Sequence, residues 1–146
     1  MNQTREAVLH RAAMNQSPHA LDIIKYLVSQ GANVNIKNGN DETPLHLTLR
    51  VPTPHAIDIV KYLVSQGSDV NAVGIAGNTP LHVAARISSR EPDGSLSVAV
   101  LRYLISIENV NVNARNRQGQ TPLDATLIEE KREILRASGG KSGAEL

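Results

Sequence analysis

Residues 18–35 read PHALDIIKYLVSQGANVN and residues 54–71 read PHAIDIVKYLVSQGSDVN, with 14 of 18 positions identical at an offset of 36. A period of this size marks a chain of repeated units, each unable to bury its apolar face alone and each stacking on its neighbours. The register extends upstream, because Leu9, Leu45 and Leu81 fall 36 apart, as do His10, His46 and His82. Thr43-Pro44-Leu45-His46 recurs as Thr79-Pro80-Leu81-His82, and 42 residues later as Thr121-Pro122-Leu123-Asp124. Ala7-Val8-Leu9-His10 holds the equivalent place without Thr-Pro. Four units follow, of about 4–35, 36–71, 72–113 and 114–146, and together they make residues 1–146 a single domain.

Thr-Pro starts a helix for a physical reason: the hydroxyl accepts an open backbone N–H, and proline at the first helical position lacks a donor that would have had no partner. A short helix is therefore predicted after each Thr-Pro. A second start is read at Ser17-Pro18 and Thr53-Pro54, followed by Leu21, Ile24, Leu27 and Val28, or Ile57, Val60, Leu63 and Val64, at helical spacing. Gly31 and Gly67 close these second helices in the left-handed conformation. The stretches Ile36 to Glu42, Ala72 to Asn78 and Ala114 to Gln120 are rich in Gly and Asn and read as exposed β-turn fingers.

Helix, turn, helix, Gly, Val-Asn, finger and Thr-Pro-Leu-His together resemble the ankyrin repeat family, over essentially the whole chain. The resemblance implies an all-α repeat solenoid, of helix-turn-helix pairs joined by β-turn fingers that project from one edge. Asp41 stands where the family's finger has Gly, and Gly74 where it has Asp, so those two turns are expected to differ; Gly77 and Gly119 match. The third unit is longer, with Ser88 to Ser95 inserted between its helices. Glu129 to Arg136 reads as a polar terminal cap and the first unit as the other cap. Gly139 to Gly143 reads as a helix stop and a frayed end.

Composition narrows the function classes. With no Cys there is no thiolate site or disulfide, and 15 Lys+Arg against 14 Asp+Glu give a formal charge of +1, without the basic excess of a nucleic-acid binder. There are no Phe or Trp and three Tyr, so the core must be aliphatic. Tyr26, Tyr62 and Tyr103 recur at one place on the second helices and read as packing residues. The repeating His residues are too far apart to share one zinc ion, whose bonds to nitrogen are about 2 Å, and read as structural. Gly139-Gly140-Lys141-Ser142 lacks the upstream Gly of a phosphate loop, because Leu135 stands there. No enzyme, metal or cofactor is expected.

Recurring residues hold the stack, so function is sought where equivalent positions differ. On the fingers these are Asn40 and Glu42, then Ile75, Ala76 and Asn78, then Arg115, Arg117, Gln118 and Gln120. At the ends of the first helices they are Met14 and Asn15, Arg50 and Val51, and Arg86 and Ile87. By the resemblance these line one concave groove, where Arg beside aliphatic residues is typical of protein-binding surfaces. The expected function is a non-catalytic protein–protein interaction module, monomeric and cytoplasmic, with neither nucleic acid nor membrane as a partner. For a chain from a pathogen or symbiont, delivery into a host cell is the alternative location. The alternative function is a structural spacer, or a regulatory blocking protein acting through the 88–95 loop.

Overall fold

Thr43 and Thr79 each accept, at the hydroxyl oxygen, the backbone N–H of the histidine three residues on, and the histidine Nδ1 accepts the threonine's own N–H. This reciprocal cap fixes where a helix begins. The computed structural model describes residues 3–15, 17–51, 53–88 and 94–146. The helices are α1 (Gln3–Met14), α2 (Ala20–Ser29), α3 (Pro44–Arg50), α4 (Ala56–Ser65), α5 (Pro80–Arg86), α6 (Ser95–Ile105) and α7 (Glu129–Ala137). Single 3-10 turns occur at Ile75–Gly77 and Gly143–Glu145. Among the described residues there is no strand, and no helix is long and apolar enough to cross a membrane.

Two rows of helices result. The inner row runs α1 to α3 to α5, the outer row α2 to α4 to α6 to α7, and each inner helix also packs on its own outer partner. Leu9, Ile24, Leu27, Ile59 and Leu63 form one buried cluster, and Leu45, Val60, Leu81, Leu101, Leu104, Leu123 and Leu135 another. The core is aliphatic, as a chain without Phe or Trp requires. This architecture is the all-α repeat solenoid that the sequence implies.

The outer helices α2, α4 and α7 stop alike. Gly31, Gly67 and Gly139 have φ of 89°, 94° and 89°, and the N–H of the residue after each bonds back to Leu27, Leu63 or Leu135. This closure uses carbonyls that the last turn would otherwise leave open. An asparagine ladder joins consecutive outer turns: Asn35 Nδ2 donates to Gly67 O while its Oδ1 accepts the Asp69 N–H. Asn71 does the same to Asn109 and Asn111, and Asn113 to Gly139 and Lys141.

Four expectations need correction. Ser17-Pro18 and Thr53-Pro54 do not cap helices; they sit in turns closed by Ala20 N–H to Ser17 O and Ala56 N–H to Thr53 O, so α2 and α4 begin later, after His19 and His55. Thr121-Pro122 gives only a turn over 122–125, with no helix. Glu129 begins α7 eight residues after Thr121, whereas Ala56 begins α4 thirteen after Thr43, so the shorter segment cannot hold both a helix and a reversal. Arg132 Nη1 donates to Leu123 O and Thr126 O, satisfying carbonyls that a helix would have used. The third correction concerns the end of the chain, which is docked rather than frayed: Thr121 Oγ1 donates to Lys141 O, and the Gly143 N–H donates to Asp124 Oδ2. Finally, Lys131 does not join the polar face of α7 but is fully buried. Of the expected 88–95 loop, residues 89–93 lie outside those described.

Candidate functional site

Each finger is one tight loop closed by a backbone bond across four residues: Asn38 N–H to Glu42 O at 3.0 Å, Gly74 to Asn78 at 2.8 Å and Asn116 to Gln120 at 2.9 Å. The fourth residue of each loop is left-handed, with φ of 61° at Asp41, 77° at Gly77 and 75° at Gly119. In the outer two loops an asparagine side chain braces the turn, Asn38 Oδ1 accepting from Asn40 and Glu42, and Asn116 Oδ1 from Gln118 and Gln120.

Of the two turns expected to differ, the first does not, because Asp41 adopts the left-handed conformation of Gly119 and its finger is braced like the third, whereas the middle finger, with Gly74, does. A Cβ at Gly74 would lie 2.9 Å from His46 Nε2, so the ring of the preceding repeat occupies the space a side chain would need. The finger takes its support from the next one, through Arg117 N–H to Ala76 O at 3.0 Å and Asn116 Nδ2 to Asn78 Oδ1 at 3.0 Å. Ala76 is drawn to a φ of 56°.

The repeated histidines tie helices to fingers. His46 Nε2 reaches Asn78 O at 3.1 Å, His82 Nε2 reaches Gln120 O at 2.8 Å, and His10 Nε2 reaches Ile36 O at 3.1 Å. Burial holds His46 and His82 below the ordinary imidazole range, against the raising effect of those carbonyl bonds. At the fourth position Asp124 replaces His. Burial pushes its carboxyl up, but bonds from the Thr121 and Gly143 backbones and the Thr121 hydroxyl outweigh this and hold it below its ordinary value. Among the described residues no group of three or more side chains could hold a metal ion.

The predicted surface residues are only partly brought together. Arg50, Ile75, Arg86 and Ile87, with Asn78 and Val83, line a cavity of about 350 Å³ between α3, α5 and the middle finger. Val83 was not among the predicted residues, although its spacing of three from Arg86 and four from Ile87 puts it on their side of the helix. Met14, Asn15, Asn40, Arg117, Gln118 and Gln120 are exposed, Val51 and Ala76 are half-buried, and none of them lines the cavity. Arg115 is exposed but its guanidinium donates to Gly143 O.

Glu42 and Asn78, expected on the surface, are buried. Each immediately precedes a helix-capping threonine and is carried inward with it. Glu42 forms an ion pair with Arg50, and Asn78 accepts from Asn116.

A family model described as ankyrin repeats (3 copies) matches residues 9–91 and 55–137. No curated protein matches the chain. Ankyrin repeats generally serve as protein–protein interaction modules and are typically not catalysts.

Proposed function

Because the chain belongs to the ankyrin repeat family, we propose that it is a non-catalytic module that binds a partner protein through the face formed by its fingers and inner helices. The four units drawn from the sequence act together in this as one domain. The observation that carries the reading is the cavity of about 350 Å³, lined by Arg50 and Arg86 together with Ile75, which is 45% exposed. The recurrent polar side chains, Thr43, His46, Thr79, His82 and the ladder asparagines, are all engaged within the stack. What remains free differs from repeat to repeat, and Arg beside exposed aliphatic groups is the composition of interface anchors.

The test is capture from native lysate with the wild-type chain and with Ile75→Asp combined with Arg117→Glu. The double variant should lose a partner that the wild type retains, with helicity and melting unchanged. Equal capture by both would overturn the assignment.

A further inference from the structure

Arg50 and Arg86 occupy the same place in consecutive repeats, 36 residues apart, at the ends of α3 and α5. Their counter-charges do not repeat. Arg50 is paired with Glu42, whose side chain is 2% exposed, so a buried carboxylate neutralises that guanidinium. The residue equivalent to Glu42 in the next repeat is Asn78, which is neutral and whose Oδ1 already accepts from Asn116. Among the described residues Arg86 has no carboxylate within ion-pair distance. Arg50 and Arg86 thus both line the cavity, only Arg50 with a paired carboxylate, beside the aliphatic Ile75, Val83 and Ile87.

We propose that this cavity is an anchor site for a glutamate or aspartate side chain within an extended segment of the partner protein, followed or preceded by an aliphatic residue. The partner's carboxylate supplies to Arg86 what Glu42 supplies to Arg50, and the neighbouring aliphatic side chain covers Ile75, Val83 and Ile87. Arg86 can present two parallel N–H donors to such a group, a geometry that a carboxylate matches. Arg50, already paired with Glu42, lines the same cavity without adding a second uncompensated charge. At about 350 Å³ the cavity is near the lower end of the roughly 300–1,000 Å³ typical of ligand pockets, which suits one or two side chains rather than a whole ligand.

The inference rests on the reading of this face as the partner-binding surface, and its test separates the two. A displayed library of random linear dodecapeptides is selected against the wild type, Arg86→Gln, Arg86→Glu and Ile75→Asp, each checked by circular dichroism and thermal melting. Wild-type selection should yield peptides with an acidic residue adjacent to Leu, Ile or Val. A synthetic peptide of that sequence should bind Arg86→Gln about 10-fold to 100-fold more weakly, the usual worth of a charge-assisted bond. Selection on Arg86→Glu should exchange the acidic residue for Lys or Arg.

Peptides lost by Ile75→Asp but indifferent to Arg86→Gln would overturn the carboxylate anchor and leave the binding face standing. Peptides indifferent to both variants would overturn both. Failure to enrich any peptide would overturn the anchor for a linear segment, leaving the face to the capture experiment.

Discussion

The ammonium group of Lys131 lies 2.7 Å from the carbonyl oxygen of Ala84 and also donates to that of Ile87, so a charged side chain of α7 closes the C-terminal end of α5. A cation there meets carbonyls that the helix leaves open and complements its dipole. Burial nevertheless lowers the Lys131 pKa from 10.5 to about 8. Between those values the unfolded chain binds a proton that the folded chain has released, so stability rises with pH across that window. The gain reaches about 3 kcal/mol, at about 1.4 kcal/mol per pH unit. Urea unfolding at pH 7 and pH 10.5 should show this rise in the wild type relative to Lys131→Met. Parallel pH dependence in the two proteins would contradict it.

His46 titrates with the same sign in a lower range. Its Nδ1 accepts the Thr43 N–H, so the proton sits on Nε2 and is donated to Asn78 O. Burial lowers its pKa below 6.5, and protonating Nδ1 would set two donors against each other. The unfolded chain takes up a proton first as pH falls through 6.5, and stability present above that pH is lost below it. His46→Gln should cost about 1–3 kcal/mol at pH 7.5 and reduce the loss between pH 7.5 and 5.5, as read from urea midpoints.

Gly77 and Gly119 separate backbone strain from contact between fingers. Both have a left-handed φ, but a Cβ at Gly77 would lie 2.8 Å from Arg117 N, whereas nothing lies within 4 Å of one at Gly119. Gly119→Ala should cost about 1 kcal/mol for the conformation alone, and Gly77→Ala about 2–4 kcal/mol, in thermal or denaturant unfolding. Equal costs would show that the middle finger does not depend on its neighbour.

Arg50 and Arg86 should differ in stability as they differ in pairing. Arg50→Ala leaves the buried Glu42 carboxylate without its cation and should cost about 1–3 kcal/mol. Arg86→Ala, at an exposed site without a carboxylate among the described residues, should stay within about 0.5 kcal/mol of the wild type. Differential scanning calorimetry of the two variants reads this directly, and equal destabilisation would contradict the assigned pairing.

Much of the fold was legible because repetition and capping are local. Thr43-Pro44 and Thr79-Pro80 start the inner helices α3 and α5, and Gly31 and Gly67 end the outer helices α2 and α4, through bonds to residues three to five positions away, which sequence spacing specifies. The Thr-Pro of the fourth unit misled because the cap is only permissive: Thr121 still bonds Asp124, but the chain before α7 is too short for both a helix and a reversal. Of the site, Arg50, Ile75, Arg86 and Ile87 could be found from positions that vary between repeats.

Burial was decided elsewhere. Glu42, Asn78 and Lys131 are polar residues beside polar residues in the sequence, and nothing local distinguishes them from solvated neighbours. Their partners stand 8, 38 and 47 residues away, at Arg50, Asn116 and Ala84. The sequence by itself determined the repeat, the helix starts and stops, the finger turns and an aliphatic core, because each depends on backbone geometry over a few residues. Only the tertiary structure decided which charges are enclosed and which guanidinium keeps its charge uncompensated among the described residues, because desolvation and pairing depend on what stacking brings together across repeats.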